Sequence, residues 1–479
     1  MDFSPPLMAF PMNRRRSFAT PSVPSRPFRG RRPGGRRSPL DNVRESAAWV
    51  VERTLASYAP SSEFLVSALS RVDERDHGLL RELSLGTLRW LRRLDDVIAR
   101  ASHRPFGKIE PAILAPLRIA AYQLLFLDRV PAHAAVREGV EHARRSTHRG
   151  GASFTNAVLR RIARDSDLSA WPVEEDDPVR RLAIEKSHPD FLVRRWLERF
   201  GEVRTEALLD ANNRPKALQL VAFADRGGRE LLAETLIDEG IAVEPSALSP
   251  VGLIVRRGNP LHGEAFRRGA FYLQDEASQA VALIPPVAPG ERVLDAAGAP
   301  GGKSFTILAA EPEAKVFLAD VSTPRLDRVL GNLRRLGRQV PVFAADAGQP
   351  ATRPGSFDRV ILDLPCSGTG TLRKNPELKW RISEGEIGRL RRQALRLMDG
   401  MAAQVRSGGL LVAITCSLEV EENEAVMEAF LERHGEFERL PLEESLSGPA
   451  RRAITGPGAW RLLPRADHDG FTLHVARKR

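Results

Sequence analysis

From Gly290 onward the chain alternates short apolar runs with amphipathic ones, and this alternation constrains the fold more than any other feature of the 479 residues. Arg292–Asp295, Lys315–Asp320, Val340–Ala344, Phe357–Asp363, Gly409–Thr415 and Phe471–Arg477 read as strands. Ser304–Ala310, Pro324–Leu336, Glu386–Val405 and Glu421–His434 read as helices. Strands alternating with helices predict a parallel sheet covered by helices on both faces. Ligands of such sheets sit at the carboxyl ends of the strands, where the strand order switches. Every motif with chemical content in this region falls at such an end.

The first is Asp295-Ala-Ala-Gly-Ala-Pro-Gly-Gly-Lys-Ser304, between a strand and a helix. Its glycines let the backbone approach a ligand, and the helix start offers free N–H groups. An ATPase reading competes, because Gly302-Lys303-Ser304 ends like a Walker motif and Arg359–Asp363 mimics its partner strand. The motif needs a glycine five positions earlier, where Ala297 stands, and the dinucleotide pattern G-x-G-x-x-G is absent. A plain Gly-rich turn is the structural alternative. Asp320 ends the next strand, twenty-five residues after Asp295, and can accept hydrogen bonds from both hydroxyls of a ribose. Asp346 follows the third strand, at a place suited to an adenine. Each acid alone would more often be a helix cap. Three acids at successive strand ends around one Gly-rich loop favour an adenosine ligand without phosphates.

The chain has two cysteines, and both lie at strand ends of this region. Cys366 stands in Asp363-Leu-Pro-Cys-Ser-Gly-Thr-Gly-Thr371, and Cys416 in Ile414-Thr-Cys-Ser-Leu418. Buried cysteine is usually an inert small hydrophobe. These two are flanked by Gly, Ser, Thr and Pro, as in site loops, and a thiolate can add to an electron-poor ring carbon. Two cysteines exclude a disulfide framework and a multi-cysteine zinc site, and suit a reducing compartment.

Upstream, residues 41–165 read as an all-α domain. Val43, Ala47, Val50, Val51, Thr54 and Leu55 keep helical spacing, and Ala115–Leu127 reads as a buried helix with Pro116 in its first turn. Ala134–Ala143 and Phe154–Ile162 add two more helices. Residues 166–215 read as a helical linker with helices near Val179–Glu185 and Phe191–Phe200. Residues 216–285 read as a small α+β module, with strands Leu218–Phe223 and Gly252–Arg256 around the helix Arg229–Glu239. Residues 286–479 form the α/β part. No apolar run is long enough to span a membrane.

The formal charge is +11, and nine Arg against Asp2 in residues 1–40 supply +8 of it, leaving 11 − 8 = +3 for the rest. Residues 1–40 are rich in Pro, Arg, Gly and Ser, which predicts disorder. A transit peptide, a nucleic-acid-binding arm on the Arg14–Arg16, Arg31–Arg32 and Arg36–Arg37 runs, and a solvated extension without a sharp role all fit this tail.

Taken together, Asp295–Ser304, Asp363–Thr371 and Thr415-Cys416-Ser417 resemble the main motifs of the RNA 5-methylcytosine methyltransferases. Gln274-Asp275-Glu276-Ala277-Ser278 and Asp469-Gly470-Phe471 also match. Leu364 replaces the family's usual alanine, and Thr472 its second aromatic. Leu117–Leu125, Pro131–Glu138 and Phe154–Arg160 resemble the RNA-binding antitermination factor NusB. The combination, over about residues 41–479, is similar to the RsmB (Sun, Fmu) group, which methylates a cytosine in small-subunit ribosomal RNA. The resemblance implies a NusB-like domain, a small α+β module and a Rossmann-like domain using S-adenosyl-L-methionine. It implies that Cys416 is the nucleophile, that Cys366 assists adduct breakdown, and that Asp363 bonds to the base edge. Ala297, Gly298, Ala299, Pro300, Gly301, Gly302 and Lys303, with Asp320, Asp346 and Asp363, would hold the cofactor. Small-subunit ribosomal RNA is the expected partner, with transfer RNA or a non-catalytic RNA-binding role as alternatives. No metal and no membrane partner is expected, and a cytoplasmic monomer is.

Overall fold

The N-terminal third is helical because its apolar residues recur at helical spacing, and side chains cap two of its helix starts. The computed structural model describes residues 42–350, 352–443, 446 and 448–479; the expectations for residues 1–40 lie outside them. Seven α-helices follow one another: α1 (Val43–Leu55), α2 (Ser61–Leu69), α3 (His77–Arg89), α4 (Leu91–Ser102), α5 (Pro111–Phe126), α6 (Ala132–Ser146) and α7 (Arg149–Arg164). The Asn42 side chain accepts from the Arg44 N–H at 2.9 Å to open α1, and His148 Nδ1 accepts from Gly150 N–H at 3.1 Å to open α7. Along α4, Leu91, Leu94, Val97, Ile98 and Ala101 are buried at helical spacing. Helix α5 is the hub, with Ile113, Leu117, Ala120, Ala121 and Tyr122 buried in one core. Its first-turn proline is Pro111, and the expected one, Pro116, lies inside the helix. An interior proline costs about 3 kcal/mol. Burial of α5 on nearly every side outweighs that loss.

Three helices lead on: α8 (Pro178–Glu185), α9 (Asp190–Phe200) and α10 (Glu202–Asn213). A four-stranded antiparallel sheet follows, from β1 (Gln219–Ala222), β2 (Ala242–Pro245), β3 (Gly252–Arg257) and β4 (Phe271–Leu273), in the order β2-β3-β1-β4. It packs against α11 (Gly228–Asp238) through Leu232 and Leu236. Two short helices, α12 (Glu264–Arg267) and α13 (Glu276–Ala282), complete this part.

The C-terminal sheet contains β5 (Arg292–Asp295), β6 (Lys315–Asp320), β7 (Val342–Ala344), β8 (Phe357–Asp363), β9 (Val405–Thr415), β10 (Phe437–Arg439), β11 (Ile454–Gly456), β12 (Ala459–Leu462) and β13 (Phe471–Lys478). Among the described residues its order is β11-β12-β13-β9-β8-β5-β6-β7, with β10 beside β13. Strands β5 to β9 pair in parallel, but β13 runs antiparallel to β9 and to β12. The sheet is therefore mixed, where the sequence pattern predicts a parallel one. Helices α14 (Gly302–Ala310), α15 (Thr323–Leu336), α16 (Glu384–Met401) and α17 (Glu424–Arg433) intervene. Alternate residues face opposite sides: Leu294, Val360, Leu362 and Leu411 pack with α16 and α17, whereas Val293, Ile361, Val412 and Ile414 pack with α13 and α14. The chain leaves β5 towards β6 on one side and returns as β8 on the other. The switch point thus lies between the carboxyl ends of β5 and β8.

Candidate active site at the strand switch point

The loop between β5 and α14 is a cradle made by backbone. Gly298 N–H donates to the Ala319 carbonyl at 2.9 Å, and Gly301 N–H to the Gly298 carbonyl at 2.7 Å. Gly301 has φ +104°, and a Cβ there would lie 2.4 Å from the Phe305 ring, so only glycine fits. Ser304 Oγ donates to Asp295 at 2.7 Å. Burial pushes the Asp295 carboxyl up to about 6. Asp320, at the end of β6, is buried and accepts from the Ala299 N–H at 3.2 Å and the Ser322 N–H at 2.9 Å. Arg325 stands 3.4 Å from the same carboxylate and also donates to the Ala299 carbonyl. Asp346 follows β7, and Arg396 of α16 grips both its oxygens at 3.0 and 3.1 Å. That grip and the Gly348 N–H hold its carboxyl below the usual range.

Lys303 and Asp363 form a pair across the switch point, Nζ to Oδ2 at 2.6 Å. Burial works against the Lys303 charge, but Asp363 and Asp295 raise its pKa and keep it an ammonium. Asp363 itself keeps 43% of its side chain accessible, so it can meet a further ligand. The thiols of Cys366 and Cys416 lie 3.5 Å apart. The two sulfurs share one hydrogen bond, which raises the Cys366 thiol, as does burial. The same bond lowers the Cys416 thiol against burial, and Thr371 and Lys303 act in the same direction. The two shifts run in opposite directions, and Cys416 is the more acidic thiol of the pair.

Backbone contacts lock the loops that carry these groups. Gly370 N–H donates to the Cys416 carbonyl at 2.8 Å, and Gly470 N–H to the Gly370 carbonyl at 2.7 Å. A Cβ on Gly370 would lie 2.3 Å from the Gly470 oxygen. Asp469 anchors this junction by pairing with Arg373 Nε at 3.1 Å and Lys216 Nζ at 2.9 Å, and its N–H donates to Asp275 at 3.1 Å. The motifs around Asp275 and Asp469 are therefore braces of the thiol loops. Sequence reasoning missed Glu422, which receives the Ser367 N–H at 2.8 Å and its hydroxyl at 2.6 Å. It also missed Arg396 and Arg325, which read as ordinary surface arginines of two amphipathic helices. The structure brings Lys303, Asp363, Cys366 and Cys416 together and sets Asp320 on the Gly-rich loop. Asp346 sits apart from the thiols, on the α16 side.

Three stretches match family models: residues 281–476 the 16S rRNA methyltransferase RsmB/F, residues 41–164 the NusB family, and residues 188–262 the ferredoxin-like domain of RsmF/B-like methyltransferases. The ribosomal RNA small subunit methyltransferase B of Pseudomonas putida is 34% identical over 90% of this chain and 97% of its own length. The chain belongs to the 16S rRNA methyltransferase RsmB/F family. The Pseudomonas syringae pv. tomato protein of the same name is 33% identical over 90% of this chain and 95% of its own. The crystal structure of PH0851 superimposes with a TM-score of 0.74 at 24% identity, over 92% of this chain and 99% of that one. The enzyme is an S-adenosyl-L-methionine-dependent 16S rRNA methyltransferase. Among the described residues no group of three His, Cys, Asp or Glu could hold a metal ion, and no helix is long and apolar enough to cross a membrane.

Proposed function

We propose that the enzyme methylates C5 of a cytosine in small-subunit ribosomal RNA through a covalent Cys416 adduct. The observation that carries this reading is the close pair of thiols beside the Lys303–Asp363 ion pair. The residues fit S-adenosyl-L-methionine. The loop Ala297–Lys303 packs its glycines against Asp295, Phe305 and Gln274, and the carboxylates beyond it would be Asp320 for a ribose and Asp346 for an adenine edge. When bound, this cofactor supplies an electrophilic methyl group on a sulfonium, which takes up the electron pair that C5 offers.

The chain's own groups do the rest. Cytosine C5 is a poor nucleophile until a thiolate adds at C6, which pushes electron density through the ring towards C5 and N3. Cys416 makes that bond, and Asp363 contacts the base edge where N3 takes a proton. Release passes the C5 proton to solvent water, the C–H electron pair re-forms the C5–C6 double bond, and Cys416 departs as a thiolate. The Cys366 thiol, 3.5 Å from that sulfur, can donate to the leaving charge and so assists breakdown. The target must leave its stack to reach the site, and ribosomal RNA loops supply such bases.

In this reading residues 41–165 bind RNA, 166–215 link, 216–285 brace the site and 286–479 carry the catalysis, in a cytoplasmic monomer. Bisulfite sequencing of cellular RNA with and without the protein gives the target. Loss of one 16S cytosine signal is expected, and a lost transfer RNA signal instead would move the substrate. Two variants give the roles. Cys416→Ala abolishes methylation, and Cys366→Ala accumulates a protein–RNA species that survives denaturing electrophoresis. The reverse pattern would exchange the two roles, and unchanged turnover in both would remove the covalent mechanism.

A further inference from the structure

We propose that the trough between α6 and α7 grips the sugar–phosphate backbone of the RNA substrate. The inference rests on the reading of this enzyme as an rRNA methyltransferase and adds the surface that receives the RNA. The trough has a volume of about 500 Å³ and is lined from Ala132 to Arg144 on α6 and from Asn156 to Arg164 on α7. The twelve steps from Ala132 to Arg144 give it a length of about 18 Å at 1.5 Å rise each. Its rim carries Arg137, Arg144, Arg160 and Arg164, all exposed, and its floor the half-buried Val136 and Val140.

Charge complementarity selects the occupant. Outside residues 1–40 the chain carries only +3, yet α7 alone has four arginines and no acid. One acid, Glu141, lines the trough, and Arg144 and Arg145 already neutralise it. Arg137 pairs with the neighbouring Glu138 at 3.1 Å, an exposed pair of small worth. Arg160 and Arg164 have no ion-pair partner among the described residues. The four rim cations are all arginine, whose planar fork matches phosphate oxygens in pairs, whereas lysine offers only a point charge. An apolar floor between such cations suits the ribose faces of a strand whose phosphates point outward.

The test compares the parent with Arg160→Glu/Arg164→Glu and with the conservative Arg160→Lys/Arg164→Lys, all as full-length chains. The probes are a 16S rRNA transcript, small-subunit particles carrying ribosomal proteins, and S-adenosyl-L-methionine alone. The charge reversal should raise KM for the transcript at least tenfold with kcat unchanged. It should make the salt dependence of RNA binding shallower by about 1.4 in the logarithmic slope, since each lost contact to a single strand is worth about 0.7. Cofactor affinity and thermal unfolding should stay at parent values, and the lysine pair should recover most of the RNA affinity. If the reversal perturbs unfolding, Arg160→Gln/Arg164→Gln serves in its place. An unchanged KM and slope in an active protein overturns the proposal. So does a defect seen only on protein-containing particles, which would make the trough a protein-docking surface. A parent that binds the transcript without methylating it overturns the functional reading instead, and the salt slope then judges the trough alone.

Discussion

A thiol reacts as its thiolate, so the direction of one S–H bond decides which cysteine of a close pair attacks. Here the two sulfurs lie 3.5 Å apart, and their bond lowers the Cys416 thiol while raising its partner. The pH dependence of adduct formation follows from the sign. Below its lowered pKa Cys416 is protonated and inert; above it the thiolate adds. Replacing Cys366 by alanine removes the largest contribution that lowers the Cys416 thiol, so the acidic limb should move to higher pH. Adduct formation should slow at neutral pH and recover as the pH rises. A single-turnover series, scored by the denaturant-stable RNA species, measures the limb directly. A limb that stays where it was would mean that Lys303 and Thr371 set the Cys416 pKa without Cys366.

At the scale of elements, one segment joins the catalytic loops to the helical domain. Residues 373–381 continue directly from the loop that holds Cys366. Glu377 accepts the Ser61 N–H at the start of α2 at 2.9 Å, Trp380 Nε1 donates to the Leu88 carbonyl at 2.7 Å, and Arg381 Nη2 donates to the Ala59 carbonyl at 2.8 Å. Lys379 is fully buried and donates to the Arg89 carbonyl at 3.2 Å, the Ser187 carbonyl at 3.1 Å and Asn213 Oδ1 at 2.7 Å. Its three donors thus tie α3, the turn after α8 and α10 to one point. Lys379→Met keeps the apolar stem but strands three acceptors, and an unpaired buried acceptor costs about 1–3 kcal/mol. Urea unfolding should show a loss of about 2–4 kcal/mol, less than the full sum because nearby water can reach a loosened junction. A loss below about 0.5 kcal/mol, the level of an ordinary surface change, would mean that the junction does not hold the parts together. None of this docking is legible in sequence, because each bond links residues far apart in the chain. What is legible is local. The buried parallel strands β5, β6 and β8 read directly, since each ends in an apolar run closed by an aspartate before a loop. The short strands β2, β4, β10, β11 and β12 have three or four residues, too few for a period to show. Pro116 misled for a related reason: a first-turn rule applies only once the start of α5 is known. The thiols and the Gly-rich loop stand out as candidate site residues because the strand ends place them. Glu422 was not, because an acid opening a helical run also reads as a cap.

At the scale of the whole molecule, two basic features are separate in the chain and should separate in experiment. Among the described residues, the groups around the thiols lie between Lys216 and Thr472. Deleting residues 1–40 should leave the methylated nucleotide unchanged. It should still flatten the salt dependence, because nine arginines leave with them. If tail and trough touch different phosphates of the same RNA, their losses add. A cycle of four proteins (parent, tail deletion, charge-reversed trough, and both) measures this. Independent sites combine within about 0.5 kcal/mol in binding free energy, so the double variant should show the sum of the two slope changes. A double variant no worse than the trough variant alone would mean that the tail reaches RNA only through the surface of α7. A folded truncation that lost methylation altogether would mean that the tail helps to build the site, against every contact seen around Cys416.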